Sequence, residues 1–364
     1  MGALTARSGW SQLAVSTDAV HVVKVVAPRQ EKKSAMSETP TRTRKQEWHW
    51  LPPAPLDLDD SVYFAWPPRP IALVRHLLGT GYLLSTHSLY ILLAIASWAI
   101  LGPAERWATF EFDWIAQTYL INFGLVVAIG GGLHLYFYTF ARQGMERKFN
   151  PAPQAKNNPR FFTGDQVHDN IFWTCVSGVT VTTVFQVGVM WTYAHGVVPW
   201  LDWASNPIWF VLLFPLLNLW ESMHFYFVHR FLHWKPLYKV AHALHHRNVN
   251  TGPWSGLSMH PIEHLLYFST IVIHFLVASH PIHMMYHMFY TAGAALTDHT
   301  GYDSLLVKGK RVVPLSGFFH QLHHRYFDCN YGTKQMPWDR WFGSYHDGTP
   351  EGTENVRAHQ ARLH

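Results

Sequence analysis

The chain has 364 residues and a formal net charge of +5, a modest positive balance that requires no nucleic-acid partner and fits loops lying beside anionic lipid. Charged residues make up 14% and aromatics 15%, with Trp and Tyr prominent, which excludes an ordinary soluble surface and fits an integral membrane protein with interfacial aromatic belts. Histidine, at 26, outnumbers Asp and Glu together, at 23, so any metal site rests on imidazole.

In chain order, residues 1–69 read as a disordered N-terminal tail, basic from Arg29 to Lys45 and Pro-rich from Leu51 to Pro70. No apolar signal-peptide core is present. The Met1-Gly2 start fails as a myristoylation signal because position six is Ala. Residues 70–220 hold transmembrane helices. Apolar stretches over about 80–102, 114–140 and 171–194, and a fourth from about 207 through Trp220, each approach the roughly 20 residues a crossing requires. Cys175 and Cys329 lie in unlike surroundings and form neither a disulfide framework nor a cysteine-based zinc site.

The loops orient these spans. Arg142, Arg147, Lys148, Lys156 and Arg160 lie between the second and third, residues 195–206 carry no Lys or Arg, and residues 103–113 carry only Arg106 against three acids. The positive-inside rule then puts both termini and everything from His229 onward in the cytosol. Residues 265–278 and 282–296 are apolar runs broken at Ser279-His280-Pro281, each short for a crossing. They read as a membrane-dipping hairpin that returns to the cytosolic side; a full crossing by the tilted pair is the alternative. The fold class expected is all-α integral membrane: about four transmembrane helices plus the hairpin, with a cytosolic histidine-rich helical catalytic cap over residues 221–364.

The chemistry concentrates in that cap. His229 and His233 stand four apart, and His242, His245 and His246 repeat the helical spacing, as do His320, His323 and His324, with His299 between. Residues three or four apart share a helix face. Packed in a core, adjacent imidazoles would each need a hydrogen-bond partner; as ligands of iron, copper or zinc they are well suited. One ion rarely takes more than six donors, so nine histidines imply two metals, and two irons between them suit dioxygen activation at an unactivated C–H bond. Glu263, Asp298 and Asp303 lie close in sequence and are candidates to orient the rings. His224, His274, His280, His283 and His287 lack tight clustering and read as structural or interfacial.

His229-Arg-Phe-Leu-His233, His242-Ala-Leu-His-His246 and His320-Gln-Leu-His-His324 resemble the three histidine boxes of the fatty acid hydroxylase/sterol desaturase superfamily. The resemblance covers about residues 221–345 and includes Pro236-Leu-Tyr, His260-Pro-Ile-Glu263 and His299-Thr-Gly-Tyr302. Cys329-Asn-Tyr-Gly332, Trp338-Asp-Arg and Gly343-Ser-Tyr345 look most like the sterol C5-desaturase branch. It implies a non-haem di-iron enzyme of the endoplasmic reticulum, or of the inner membrane if bacterial. Such an enzyme uses dioxygen and draws electrons from NAD(P)H through cytochrome b5 or a similar separate donor. It also implies a lipid substrate, a sterol or acyl lipid, with His229, His233, His242, His245, His246, His299, His320, His323 and His324 as ligands. Some hydroxylases of the superfamily carry a further His four residues before the one matched by His299; here that position is Ala295, and His260 is the candidate to complete or support the set.

Desaturation of a sterol is the reading these features favour. Hydroxylation of a sterol C4 methyl, an acyl chain or an alkylglycerol shares the same ligands and is the alternative. A metal transporter would place its histidines mid-span rather than after the fourth apolar stretch, and a zinc protease would need His-Glu-x-x-His, which the chain lacks.

Overall fold

A computed structural model describes residues 48–363 except 59, 60 and 316, so residues 1–47 of the tail expected over 1–69 lie outside the described residues. The helices, in order, are α1 (Pro70–Leu78), α2 (Thr86–Leu101), α3 (Phe112–Thr139), α4 (Gln166–Ala194) and α5 (Pro207–Leu232). They continue with α6 (235–246), α7 (Pro261–Phe268), α8 (Pro281–Asp298), α9 (Gly317–Tyr326), α10 (Trp338–Trp341) and α11 (Pro350–Leu363). Three of them, α3, α4 and α5, are long and apolar enough to cross a bilayer, while α2 is apolar but 16 residues long. The expected first span therefore starts six residues later than its hydropathy does. Residues 79–85 form turns instead, and Ser85 caps α2 by accepting from the His87 backbone N–H.

The element that organises the rest is α8. Pro281 occupies its first turn and His280 caps it. Nearly every side chain it carries is buried, including Met284, Met285, Tyr286, Met288, Phe289 and Leu296. It packs against α2, α3, α4 and α5. Lipid gives no hydrophobic drive for helices to associate, so close packing and polar contacts hold such a core. Both are present: Gly293 lets Tyr90 approach so closely that an added Cβ would lie 2.0 Å from its hydroxyl. Between α3 and α4, Asn122 donates to Thr183 Oγ1 at 3.0 Å and to Gln186 Oε1 at 2.7 Å.

The hairpin is deeper than a shallow dip. After α7 the chain continues as a 3-10 helix over Ser269–Phe275, turns, and enters α8. Its tip bonds to the loop joining α4 and α5: Ser279 N–H donates to the Pro199 carbonyl at 3.0 Å and Leu201 N–H to the Ser279 carbonyl at 3.2 Å. Tyr193 and Ser279 share a 2.7 Å hydroxyl contact. That loop is the one without Lys or Arg, so the tip of the pair lies at the end of the bundle opposite His229.

Two further features depart from the sequence expectation. The fold is not wholly helical: Ser304–Val307 (β1) and Lys310–Pro314 (β2) form an antiparallel hairpin. Its two-residue turn, Lys308-Gly309, has both φ angles positive, the geometry that matches strand twist. Within the expected tail, residues 48–58 pack on the cap. Trp48 lies edge-on to Phe318, Trp50 packs on Phe149, His49 N–H donates to the Phe149 carbonyl at 2.9 Å, and Leu58 is buried.

Candidate metal centre

Pro207, with Asn206 accepting from the Trp209 N–H, starts α5, and its last turn carries His229; His233 caps its end. Trp234 and Pro236 turn the chain into α6, whose wide turn over Tyr238–His242 leads into the second box. On α9 the third box is almost entirely buried. These elements and His299, at the end of α8, gather all nine expected histidines into two groups. His229, His233, His242, His246 and His323 form one, and His245, His299, His320 and His324 the other; within each, one nitrogen per ring lies within 4.8 Å of all the rest.

The sorting follows from the helix. In His242-Ala-Leu-His-His246 the pair four apart serves the first group and the third histidine serves the second. In His320-Gln-Leu-His-His324 the roles reverse: His320 and His324 go to the second group and His323 to the first. Neighbours on a helix are rotated by about 100°, so one short motif faces two sites. The groups are side by side, with the His246 and His324 ring centroids 4.9 Å apart.

The ring chemistry suits a cation. His229 donates through Nδ1 to the Tyr331 carbonyl at 2.6 Å, His323 to the Cys329 carbonyl at 2.6 Å and His299 to the Ala295 carbonyl at 2.7 Å. His242 Nδ1 donates to Glu263 Oε1 at 2.7 Å. A neutral ring whose proton is fixed on Nδ1 presents a bare lone pair at Nε2. Yet His233 Nε2 lies 3.1 Å from His246 Nε2, 3.2 Å from His323 Nε2 and 3.1 Å from His242 Nε2. His299 Nε2 lies 3.2, 3.0 and 3.1 Å from those of His245, His324 and His320. One or two protons cannot satisfy so many converging lone pairs. Imidazole nitrogens bound at about 2.0–2.1 Å to a first-row ion stand roughly 3.0–3.4 Å apart, so the spacing fits shared ions. Burial holds His242, His245, His246, His320, His323 and His324 well below the ordinary histidine range, and His299 at about 4, which keeps them neutral as metal ligands require.

The remaining candidates separate. Glu263, 1% exposed, orients His242, and burial pushes its carboxyl well above the usual range. Asp298 lines the adjoining cavity. Asp303 is a correction: it pairs with Arg147 at 3.0 Å and Arg311 at 3.8 Å and so braces the β-hairpin, because two guanidinium groups attract it more strongly than any neutral ring. His260 belongs to neither group and caps α7, accepting from Ile262 N–H at 3.2 Å. His224, His274 and His287 satisfy one another or hydroxyls, as expected of structural histidines.

Sequence reasoning missed the loop that orients the rings. Asp339, fully buried, accepts from Tyr331 N–H and Gly332 N–H at 2.8 Å each and from Ser344 Oγ at 2.6 Å. It thereby clamps the segment whose carbonyls hold His229 and His323. The Trp338-Asp-Arg motif was the available signal. A small cavity of about 40 Å³ adjoins the rings, lined by Phe225, Leu232, Met259, Tyr267, Ala295 and Asp298 among others. Its lining is mostly apolar.

A histidine-caged centre beside an apolar pocket, in a helical membrane bundle, defines the class. Residues 214–344 match the fatty acid hydroxylase family model. Similar proteins include a delta(7)-sterol 5(6)-desaturase of Candida albicans, 30% identical over 36% of this chain and 33% of its own length. Methylsterol monooxygenase 1 of Gallus gallus is 31% identical over 39% of this chain and 50% of its own. A delta(7)-sterol-C5(6)-desaturase of Nicotiana tabacum is 28% identical over 46% and 60%. The chain thus spans between a third and three fifths of the length of these relatives. No solved structure matches it.

Proposed function

We propose that this chain is an integral membrane oxidoreductase that oxidises a C–H bond of a lipid with dioxygen, most closely a sterol desaturase-type reaction. The observation that carries it is the pair of histidine groups with converging Nε2 lone pairs against an apolar cavity. The nine histidines would hold two iron ions, which when bound supply dioxygen-dependent oxidation of an unactivated C–H bond. The residues of the chain do the rest. Phe225, Leu232, Met259 and Tyr267 exclude water and grip the hydrocarbon. Glu263 fixes His242, and the Asp339 clamp fixes His229 and His323. The second group has one histidine fewer, and Ala295, four residues before His299, lines the cavity where a further ring would stand. That gap leaves the second group open towards the lipid, as catalytic metal sites leave a position free.

The bundle is read as four crossings and the α7–α8 hairpin, with both termini and the histidine cap on the cytosolic face of the endoplasmic reticulum. The reductant is a separate donor of the cytochrome b5 type, fed from NAD(P)H. Methylsterol monooxygenase among the relatives favours hydroxylation as the second reading. Purified protein should carry two irons, lose lipid oxidation on chelation and regain it with iron. Mass spectrometry of lipids from cells with and without the protein separates the readings: loss of two hydrogens from a sterol means desaturation, an added oxygen means hydroxylation. Full lipid oxidation without iron would sink both.

A further inference from the structure

Helix α1 has nine residues, far short of a crossing, and none of them is buried. Ile71, Val74 and Leu78 fall at steps of three and four, so they form one stripe, and they are 69%, 54% and 63% exposed. On the other side of the helix Ala72, Leu73, His76 and Leu77 are half-buried. Just ahead of α1, Phe64 and Trp66 are exposed, Trp66 by 87%; just after it, so are Leu83 and Leu84. Large apolar side chains left bare over so short a segment mark a surface that something covers. The bare face runs on into α2, where Leu89 and Leu92 are also exposed, so it continues the lipid-facing side of the bundle.

The backbone between α1 and α2 is built for an apolar medium. The 16 residues of α2 make about 24 Å of helix against roughly 30 Å of hydrocarbon, so the turns at 79–85 that lead into it fall within the leaflet. There the N–H groups of Tyr82, Leu83, Leu84 and Ser85 donate to the carbonyls of Gly79, Leu77, Gly79 and Tyr82 at 3.2, 3.0, 2.8 and 3.2 Å. Lipid requires such internal pairing, because it offers no partner of its own. Helix α1 is kept from sinking deeper by its ties to the cap. His76 Nε2 lies 3.1 Å from the Tyr63 hydroxyl, Ser61 donates to the Gln335 carbonyl at 2.7 Å, and Phe64 packs edge-on to Trp338 and Trp341. Charge fits the same boundary. Residues 61–104 contain no Asp or Glu. Arg69, at the start of the stripe, and Arg75, beside it, are exposed and have no ion pair among the described residues. Basic side chains so placed lay their stems along the acyl boundary and carry their charge to lipid phosphates.

We propose that residues 64–78 form an in-plane anchor in the phospholipid leaflet on the side of the histidine cap, with Ile71, Val74 and Leu78 among the acyl chains and Arg69 and Arg75 at the phosphates. The anchor needs neither metal nor substrate, so it stands or falls apart from the oxidase reading. The full chain in phospholipid nanodiscs carries a polarity-sensitive dye on Val74→Cys, with Cys175→Ala to remove the half-buried thiol; Cys329 is buried. The quenchers are a spin label high on the lipid acyl chain, a second at the chain end, and aqueous iodide. The same dye on Lys308→Cys, at the exposed turn of the β-hairpin, gives the aqueous reference. At position 74 the shallow label quenches most, the deep label less and iodide least. Quenching led by iodide overturns the anchor, since the stripe then faces water. Quenching led by the deep label overturns it as well, since α1 would then extend a crossing. A dye on Trp66→Cys reads what the stripe contributes: Ile71→Ser, Val74→Ser and Leu78→Ser together shift its quenching from the shallow label to iodide. Unchanged quenching there would mean that the stripe holds nothing, and the proposal fails. The reading at position 74 leaves Ile71 and Leu78 in place, so it decides the matter whether or not the triple variant folds.

Discussion

At His245 and His246, one step along the chain decides which group a ring joins, since adjacent helical residues point about 100° apart. Loss of either ring should therefore be felt unequally by the two groups. His245→Ala takes one nitrogen from the four-membered group and His323→Ala one from the five-membered group. Removing an outer partner of a metal ligand costs roughly 10–100-fold, so removing a ligand should cost more, with His245→Ala the worse because fewer donors remain. Iron per chain by elemental analysis and lipid oxidation check this, in protein that still inserts; a fully active His245→Ala variant would count against the assignment. The nine histidines were legible because side-chain type and helical spacing are both written in the chain. The carbonyls of Tyr331, Cys329 and Ala295 that fix three of the rings were not, since a backbone acceptor has no residue signature. Asp303 was misread for a related reason: proximity to His299 in sequence says nothing of Arg147, 156 residues away.

Among the elements, α8 carries His299, one of the second group's four rings, at its end, and most of its side chains are buried. Its break at Ser279-His280-Pro281 was plain from the sequence, whereas its depth was not. That depth depends on pairing between Ser279 and residues 199–201, a contact nearly 80 positions apart that no local pattern encodes. The β-hairpin was missed because four- and five-residue strands are brief beside the surrounding helical periodicities. The close approach of Gly256 to α8 gives a test: an added Cβ would lie 2.1 Å from the Ala295 carbonyl oxygen, the atom to which His299 donates. Gly256→Ala should cost about 1–3 kcal/mol of stability, as overpacking does, and displace His299, releasing iron from the second group ahead of the first. A thermal melt with iron analysis reads both. Ala295→His acts oppositely, adding the ring the second group lacks. Iron should then be held more tightly against a chelator while lipid oxidation falls, because the side open to the cavity is closed.

For the molecule as a whole, folding gathers nine imidazoles away from water, and only a neutral ring suits that place. Unfolded, each histidine titrates near its ordinary value of about 6.5. Folded, burial lowers His242, His245, His246, His320, His323 and His324 well below it, and His299 and, outside the centre, His346 to about 4. Between those values the unfolded chain binds more protons than the folded one, so stability is present above about pH 6.5 and is lost as the pH falls towards 4. Metal-stripped protein in detergent should therefore melt at progressively lower temperature from pH 7 to pH 5. Iron, binding the same nitrogens only in the folded state, should raise the melting temperature most at neutral pH, and less on acidification as protons compete for the rings. A flat profile for the stripped protein would mean that the rings are solvated rather than enclosed. An iron effect that stays constant from pH 7 to pH 5 would mean that the metal sits on ordinary carboxylates instead.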